Sequence, residues 1–398
     1  MTHGSSQMKP VLFVTGHTPP DRVGAFARLH EAENVEFALF GGPSKHGGPA
    51  PPRDLPFPHR QIRQHESVKL AASGRYRAVV CSSGGRIALG ATWAGARRGG
   101  LPLVLWTSLW AHPRSPAHAL SFLALRRLYR SADAVVTYGP HVSAYVSARG
   151  ARNVYTAPQA VDNAFWSAHE IAAPRWGISG RSARPEQAAT KFLFVGRPAR
   201  EKGLRVLIEA WRTTGLRAPT VALVLAGVGS NPPWVPAGGA AGDPTGAADA
   251  AKDPAEGDAG KQKAEQSVLW MDPVPPVELR NIYAACDVLV VPSIPTRTFR
   301  EPWGLVVNEA MNRGLPVIAT DAVGAAAGGL VRDERNGLVV PAGDSDALAR
   351  AINRLAVDPI LRTRLGEAGA EDVRSFTYDA WAQGFSRALA SLGVSRKH

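Results

Sequence analysis

The sequence predicts an α/β chain of two domains, each a parallel sheet with helices on both faces. Short continuous apolar runs alternate with helix-length amphipathic segments along most of the chain, the pattern of strands buried on both sides. A length of 398 residues suits two cores of roughly 150–200 residues each. Between them lies a break rich in Pro, Gly, Arg and Ser, Ile171 to Gln187.

In the first domain, residues 1–170, the strand Val11 to Thr15 ends in a Gly/Pro turn, Gly16 to Pro20, and a helix follows from Val23 to Glu33. Ala78 to Cys81 leads through Ser82-Ser83-Gly84-Gly85 into an Ala-rich helix, Arg86 to Arg97, and Leu101 to Trp106 and Ala134 to Thr137 add strands. In the second, residues 188–375, strands are expected at Lys191–Val195, Val221–Ala226, Val268–Met271, Val288–Val291 and Pro316–Thr320. Helices fit Leu204–Trp211, Val277–Ala285, Gly304–Met311 and 346–357. Small-residue turns after strands place binding groups at the carboxyl edge of such sheets. Residues 231–266, dominated by Gly, Ala, Pro and Asp without apolar periodicity, read as a flexible surface insertion. Residues 376–398 read as a helix packing back toward the first domain.

Apolar residues make up 45% of the chain and charged residues 20%, a globular profile. No apolar run approaches the roughly 18 residues of a membrane span. Met1 to Gln7 is polar and lacks the apolar core of a secretion signal, so a cytoplasmic protein is the expectation. Cys81 and Cys286 sit in apolar, strand-like surroundings and read as small buried thiols. Through residue 170 there are 19 Lys and Arg against 9 Asp and Glu, so +10 of the chain's +13 lies in the first part. Such a surface attracts polyanions or an anionic membrane face; the arginines equally fit a GC-rich genome.

Two stretches carry the chemistry. The strand ending at Val195 runs into Gly196-Arg197-Pro198-Ala199-Arg200-Glu201-Lys202-Gly203, where an Arg fork and a Lys point charge suit a diphosphate. The second stretch runs from Phe299 to Met311 and holds Glu301 before a helix start and Glu309 inside the helix. A helix beginning near Gly304 offers free N–H groups to a phosphate or sugar hydroxyl, and Glu309 can accept from the vicinal hydroxyls of a ribose. Each stretch alone also fits solvated surface charges.

Together, in this order, they resemble the retaining glycosyltransferases of family 4. That family has the GT-B fold, two Rossmann-like domains with parallel sheets facing across a cleft. Asp287 to Ser293, Gly314 to Ala319 and Asn336 to Val340 match as well. The resemblance is strong over roughly residues 190–375 and holds only in outline before that. It implies that Arg197 and Lys202 neutralise the donor diphosphate and that Glu301 contacts donor-sugar hydroxyls. Glu309 would hold the ribose, and Gly196 and the amides near Gly304 and Leu305 would add to donor binding. Val23-Gly24 stands where the family pairs glycines, which leaves Gly24 for the phosphate side. The family's histidine after the fourth strand has a displaced counterpart in His112, which is either a site residue or a loop histidine beside Pro113. Asp272-Pro273 replaces the usual glycine after the strand Val268–Met271.

Asp344-Ser345-Asp346 precedes a helix and reads as its N-cap, not as a metal triplet. No convincing carboxylate cluster calls for a metal, and Arg197 with Lys202 makes one unnecessary; the nucleoside diphosphate sugar is substrate and no cofactor is expected. The acceptor, a sugar, a lipid-linked sugar or a small molecule, should lie on the first domain. There Ser115 to Ser131 combines leucines with Arg126, Arg127 and Arg130. This helix either rests on an anionic membrane at its inner face or packs on its own sheet with the arginines in water. A nucleic-acid module is not recognisable. The other functions open to the sequence are a nucleotide-sugar epimerase and a non-catalytic nucleotide-sugar binder.

Overall fold

Two parallel sheets organise the chain, because nearly every strand is an apolar run with no polar face to give to water. The computed structural model describes residues 8–41, 54–85, 87–169, 172–174, 176, 188–216, 220–229 and 267–396. The expected insertion at 231–266 lies outside the described residues, as does the 171–187 break apart from 172–174 and 176. Two units form, Met1–Asn163 with Ser375–His398, and Ala164–Arg374.

The first unit contains β1 (Val11–Thr15), α1 (Val23–Glu33), β2 (Val35–Leu39), β3 (His59–Gln61), α2 (Ser67–Ala71), β4 (Ala78–Ser82) and α3 (Ala88–Arg98). It continues with β5 (Leu103–Thr107), α4 (Pro116–Ser131), β6 (Ala134–Thr137), α5 (Pro140–Ser147) and β7 (Val154–Thr156); α6 (Asn163–Ser167) follows at the boundary. The strand order is β3-β2-β1-β4-β5-β6-β7, with every pair parallel. Alternate residues feed two cores. Val11 and Phe13 join Phe26, Phe37 and Trp106 on one face, while Leu12 and Val14 join Val79, Cys81 and Leu105 on the other. Phe26 stacks on Phe37 with ring centroids 4.6 Å apart.

The second unit holds β8 (Thr190–Val195), α7 (Leu204–Thr213), β9 (Val221–Ala226), β10 (Val268–Met271), α8 (Pro276–Ala284) and β11 (Val288–Val291). Then come α9 (Val306–Asn312), β12 (Val317–Thr320), α10 (Gly324–Ala327), β13 (Gly337–Val340), α11 (Ser345–Val357) and α12 (Pro359–Val373). Its order is β10-β9-β8-β11-β12-β13, again parallel. Phe192 and Phe194 pack with Leu207 and Trp211 of α7 and Ile352 and Leu355 of α11.

The last helix, α13 (Tyr378–Ser391), belongs to the first unit. Thr377 caps it by accepting from the Ala380 amide at 3.0 Å, and Trp381 and Phe385 enter the aromatic core fully buried.

Several boundaries differ from expectation. β2, β3, β7 and β13 are not among the expected strands: β3 is three polar residues of which two are exposed, and β7 is equally short. The strand expected at Leu101–Trp106 slides to Leu103–Thr107. The helix expected from Gly304 starts at Val306, because Gly304 has φ +94°, outside helical space. Glu309 is therefore in its first turn. Asp344 caps α11 through the Ala347 amide at 2.8 Å. Both cysteines are buried and free, and burial pushes the Cys81 thiol up to about 12.

Candidate active site

In the second sheet β8 has β9 on one side and β11 on the other, so the strand order turns between β8 and β11. Open α/β sheets bind ligands in the crevice at the carboxyl ends of the strands flanking such a turn. Both candidate stretches leave from these two strand ends.

After β8, Gly196 donates to the Ala226 carbonyl at 3.0 Å, and the chain turns through a short 3-10 segment, Arg200–Lys202, to Gly203. Gly203 takes φ +68°, and a Cβ there would lie 1.8 Å from the Pro292 oxygen just past β11. Only glycine lets the two loops press together this closely. The Ile294 amide closes the contact by donating to the Glu201 carbonyl at 2.9 Å. As a result Lys202 Nζ donates to Glu301 Oε2 at 2.6 Å across 99 positions of sequence. The Glu301 side chain is 9% exposed and that of Lys202 23%. A Cβ on Gly196 would lie 3.9 Å from Lys202 Cδ, so the lysine stem runs over this glycine. Arg197 is half-exposed, with Glu201 Oε1 3.6 Å from its guanidinium.

Beyond Glu301 the segment is pinned to α10. The Gly324 amide donates to the Glu301 carbonyl at 3.1 Å and the Ala325 amide to that of Trp303 at 2.8 Å. Trp303 Nε1 donates to Asn308 Oδ1 at 2.8 Å in the interior. Leu305 stands at the start of α9 and accepts from the Glu309 amide at 3.1 Å. The Glu309 carboxylate accepts from the Tyr283 hydroxyl at 2.8 Å. Burial, and then the Glu309 charge, pushes the Tyr283 phenol well above its usual value, so it stays a donor at neutral pH. One tyrosine in an apolar helix pattern carries no sequence mark of this contact with Glu309. Ser293, which closes the matching stretch from Asp287 and has no role of its own in the sequence reading, is 1% exposed two residues past β11, and its hydroxyl has no hydrogen-bond partner.

The two residues placed in the first unit behave differently. Gly24 lies within α1, where a Cβ would sit 2.3 Å from Tyr378 Cε2. Its missing side chain thus has a packing reason, the seating of α13 on α1. His112 lies in the loop between β5 and α4, with Nε2 2.7 Å from the His118 carbonyl oxygen. A carbonyl only accepts, so Nε2 carries a proton. The ring sits 5.0 Å from that of Phe122, and buried Nδ1 has no hydrogen-bond partner.

Among the described residues no group of three or more His, Cys, Asp or Glu could hold a metal ion, and no helix is long and apolar enough to cross a membrane. On α4, Leu123 is 68% exposed and shares a shallow groove with Arg126, Arg127 and Arg130.

The fold is that of a two-unit α/β protein whose second unit brings Arg197, Lys202 and Glu301 to the carboxyl edge of its sheet, where the strand order turns. Residues 181–372 match the family model of Glycosyl transferases group 1. D-inositol 3-phosphate glycosyltransferase of Corynebacterium glutamicum is 35% identical over 194 residues, which are 48% of this chain and 40% of that protein. The lipopolysaccharide core biosynthesis glycosyltransferase LpsE of Rhizobium meliloti is 37% identical over 123 residues, 31% of this chain and 33% of that one. The chain thus matches well under half the length of these relatives. Among solved structures, HepE of Anabaena in complex with UDP and glucose superposes with TM-score 0.65 at 18% identity, covering 96% of this chain and 100% of that one. Sucrose-phosphate synthase of Thermosynechococcus elongatus gives 0.67 at 20%, covering 97% and 99%. These neighbours are GT-B glycosyltransferases, and the likeness is one of fold.

Proposed function

We propose that the chain transfers a sugar from a nucleoside diphosphate sugar to an acceptor, with retention of configuration, in the assembly of an exported polysaccharide, a glycolipid or a glycosylated metabolite. The observation that carries this reading is the 2.6 Å contact between Lys202 and Glu301 at the turn of strand order, inside the group 1 domain. Lys202 and Arg197 take the donor diphosphate. Glu301 contacts hydroxyls of the donor sugar next to it, and Glu309, steadied by Tyr283, holds the ribose. As the bond to the anomeric carbon breaks, negative charge grows on the departing diphosphate, and the two cations stabilise it, typically by several kcal/mol. These cations supply the charge that a divalent metal would bring. The acceptor hydroxyl attacks the anomeric carbon from the leaving-group face and passes its proton to the departing diphosphate oxygen, which retains configuration. The UDP and glucose bound to HepE support a UDP-type donor.

The acceptor side falls to the first unit, where the apolar and basic face of α4 fits peripheral attachment to an anionic membrane at its cytoplasmic face. Vesicles rich in anionic lipid should retain the protein at low salt and release it at high salt; no retention at low salt would remove this part.

Thermal-shift measurements with UDP, GDP, ADP and TDP sugars identify the donor. Glu309→Ala should then lower donor turnover by about a hundredfold, as loss of a hydrogen-bonded charge at a ribose does. Normal turnover in that variant would overturn the site. Sugar product formed without any acceptor would point to an epimerase instead.

A further inference from the structure

The strand order of the first sheet turns at β1, which has β2 on one side and β4 on the other. Its carboxyl edge is therefore a second place where such a sheet takes a ligand. Chain segments at the ends of β1, β5, β6 and β7 meet there around one side chain. Arg22, just before α1, is only 9% exposed. Its Nη2 donates to Gln159 Oε1, beyond β7. Its guanidinium carbon lies 5.8 Å from the centre of the Trp106 ring on β5 and 5.6 Å from that of Tyr138 beyond β6. Asp21 Oδ2 stands 3.6 Å from Nε. Gln159 and Asp21 thus occupy the Nε–Nη2 edge of the guanidinium, while Nη1 is buried without a hydrogen-bond partner.

Two further buried donors on these strand ends are also unpartnered. The Thr18 hydroxyl belongs to a residue that is 0% exposed, and Trp106 Nε1 to one that is 7% exposed. Buried polar groups are nearly always paired, and charged ones most of all. Arg22 Nη1 and Trp106 Nε1 can only donate, and the Thr18 hydroxyl can donate beside them, so a complement rich in acceptors and negative satisfies all three. A guanidinium fork suits a phosphate or carboxylate.

We propose that Arg22, Thr18 and Trp106 form an oxyanion site in the first unit that receives an anionic group of the acceptor. The site rests on this geometry alone; its assignment to the acceptor rests on the transferase reading. Inorganic phosphate and UDP, titrated calorimetrically into the full chain and into Arg22→Lys and Thr18→Val, separate the two. Arg22→Lys keeps the charge but loses the fork, and should weaken phosphate binding about tenfold while leaving UDP binding unchanged. Thr18→Val keeps the volume and should weaken phosphate binding about threefold. A parallel loss of UDP affinity would hand the site to the donor diphosphate and overturn the acceptor assignment. Unchanged phosphate affinity in variants that melt normally would overturn the site itself. Should Arg22→Lys fail to fold, Thr18→Val decides, together with tungstate soaked into crystals of the unaltered protein: a heavy-atom peak beside Nη1 supports the site and its absence overturns it. Failure of UDP to bind the unaltered chain would remove the transferase reading and leave the phosphate result standing.

Discussion

Lys202 and Glu301 pair across two loops, and their burial is unequal: the carboxylate is nearly enclosed, whereas the ammonium keeps some contact with water. Removing the cation leaves a buried charge without its partner, which is more damaging than never having had the pair. Lys202→Met should destabilise the second unit by about 3 kcal/mol, read as a lowered urea midpoint at unchanged slope. It should also abolish the thermal shift produced by UDP. A variant that loses stability yet still binds UDP normally would make the pair structural only. Both members were visible in the sequence as charged residues beside turns. Their meeting was not, because a separation of 99 positions hides it until β8 and β11 become neighbours.

At the scale of elements, two glycines with nearly the same backbone separate strain from crowding. Gly203 (φ +68°) has the Pro292 oxygen where a Cβ would go, while Gly215 (φ +70°), just past α7, has nothing within 4 Å. Gly215→Ala should cost about 1 kcal/mol, the penalty of the left-handed conformation alone. Gly203→Ala should cost well above 2 kcal/mol, since the β11 loop must also move. Paired melts of the two variants test this, and equal costs would mean the loops are not pressed together.

The end of α12 makes a second case. Arg335, through two hydrogen bonds of 2.8 and 2.9 Å, then Arg332 and Asn336, hold the Asp372 carboxyl down at about 2. A depressed carboxylate stabilises the fold above its unfolded value of roughly 4, and that contribution fades as pH falls from there through 2. Asp372→Asn should therefore cost on the order of 1–2 kcal/mol at pH 7, where the partly exposed arginines soften the effect. The gap from the unaltered chain should close near pH 2 in acid-denaturation curves.

For the molecule as a whole, the decisive feature is that residues beyond Arg374 return to the first unit. Trp381 lies 5.6 Å from Phe26, 5.8 Å from Trp106 and 4.5 Å from Phe385 by ring centroids. It completes a core otherwise built from the first part of the chain. Trp381→Ala should cost about 3–5 kcal/mol and fall on the first unit, 200 residues and more away in sequence from most of its partners. Hydrogen exchange should show faster exchange in β1, β2 and α1 with α7 and α11 unaffected. Equal acceleration in both units would refute this placement.

The sequence by itself determined the α/β class, most of the strands and the identity of the charged stretches after β8 and β11. Each of these depends on neighbours within one short segment: an apolar run, a turn glycine, a cap such as Asp344. Marginal strands such as β3 escaped it, since their residues are polar and only the adjoining strand makes them extended. The tertiary structure alone decided that Lys202 reaches Glu301, that Tyr283 steadies Glu309, and that Gly24 serves the packing of Tyr378. It also decided that Arg22 is a buried cation with one nitrogen unanswered. Those are meetings between distant segments, and they exist only after parallel pairing has set which strand ends stand side by side.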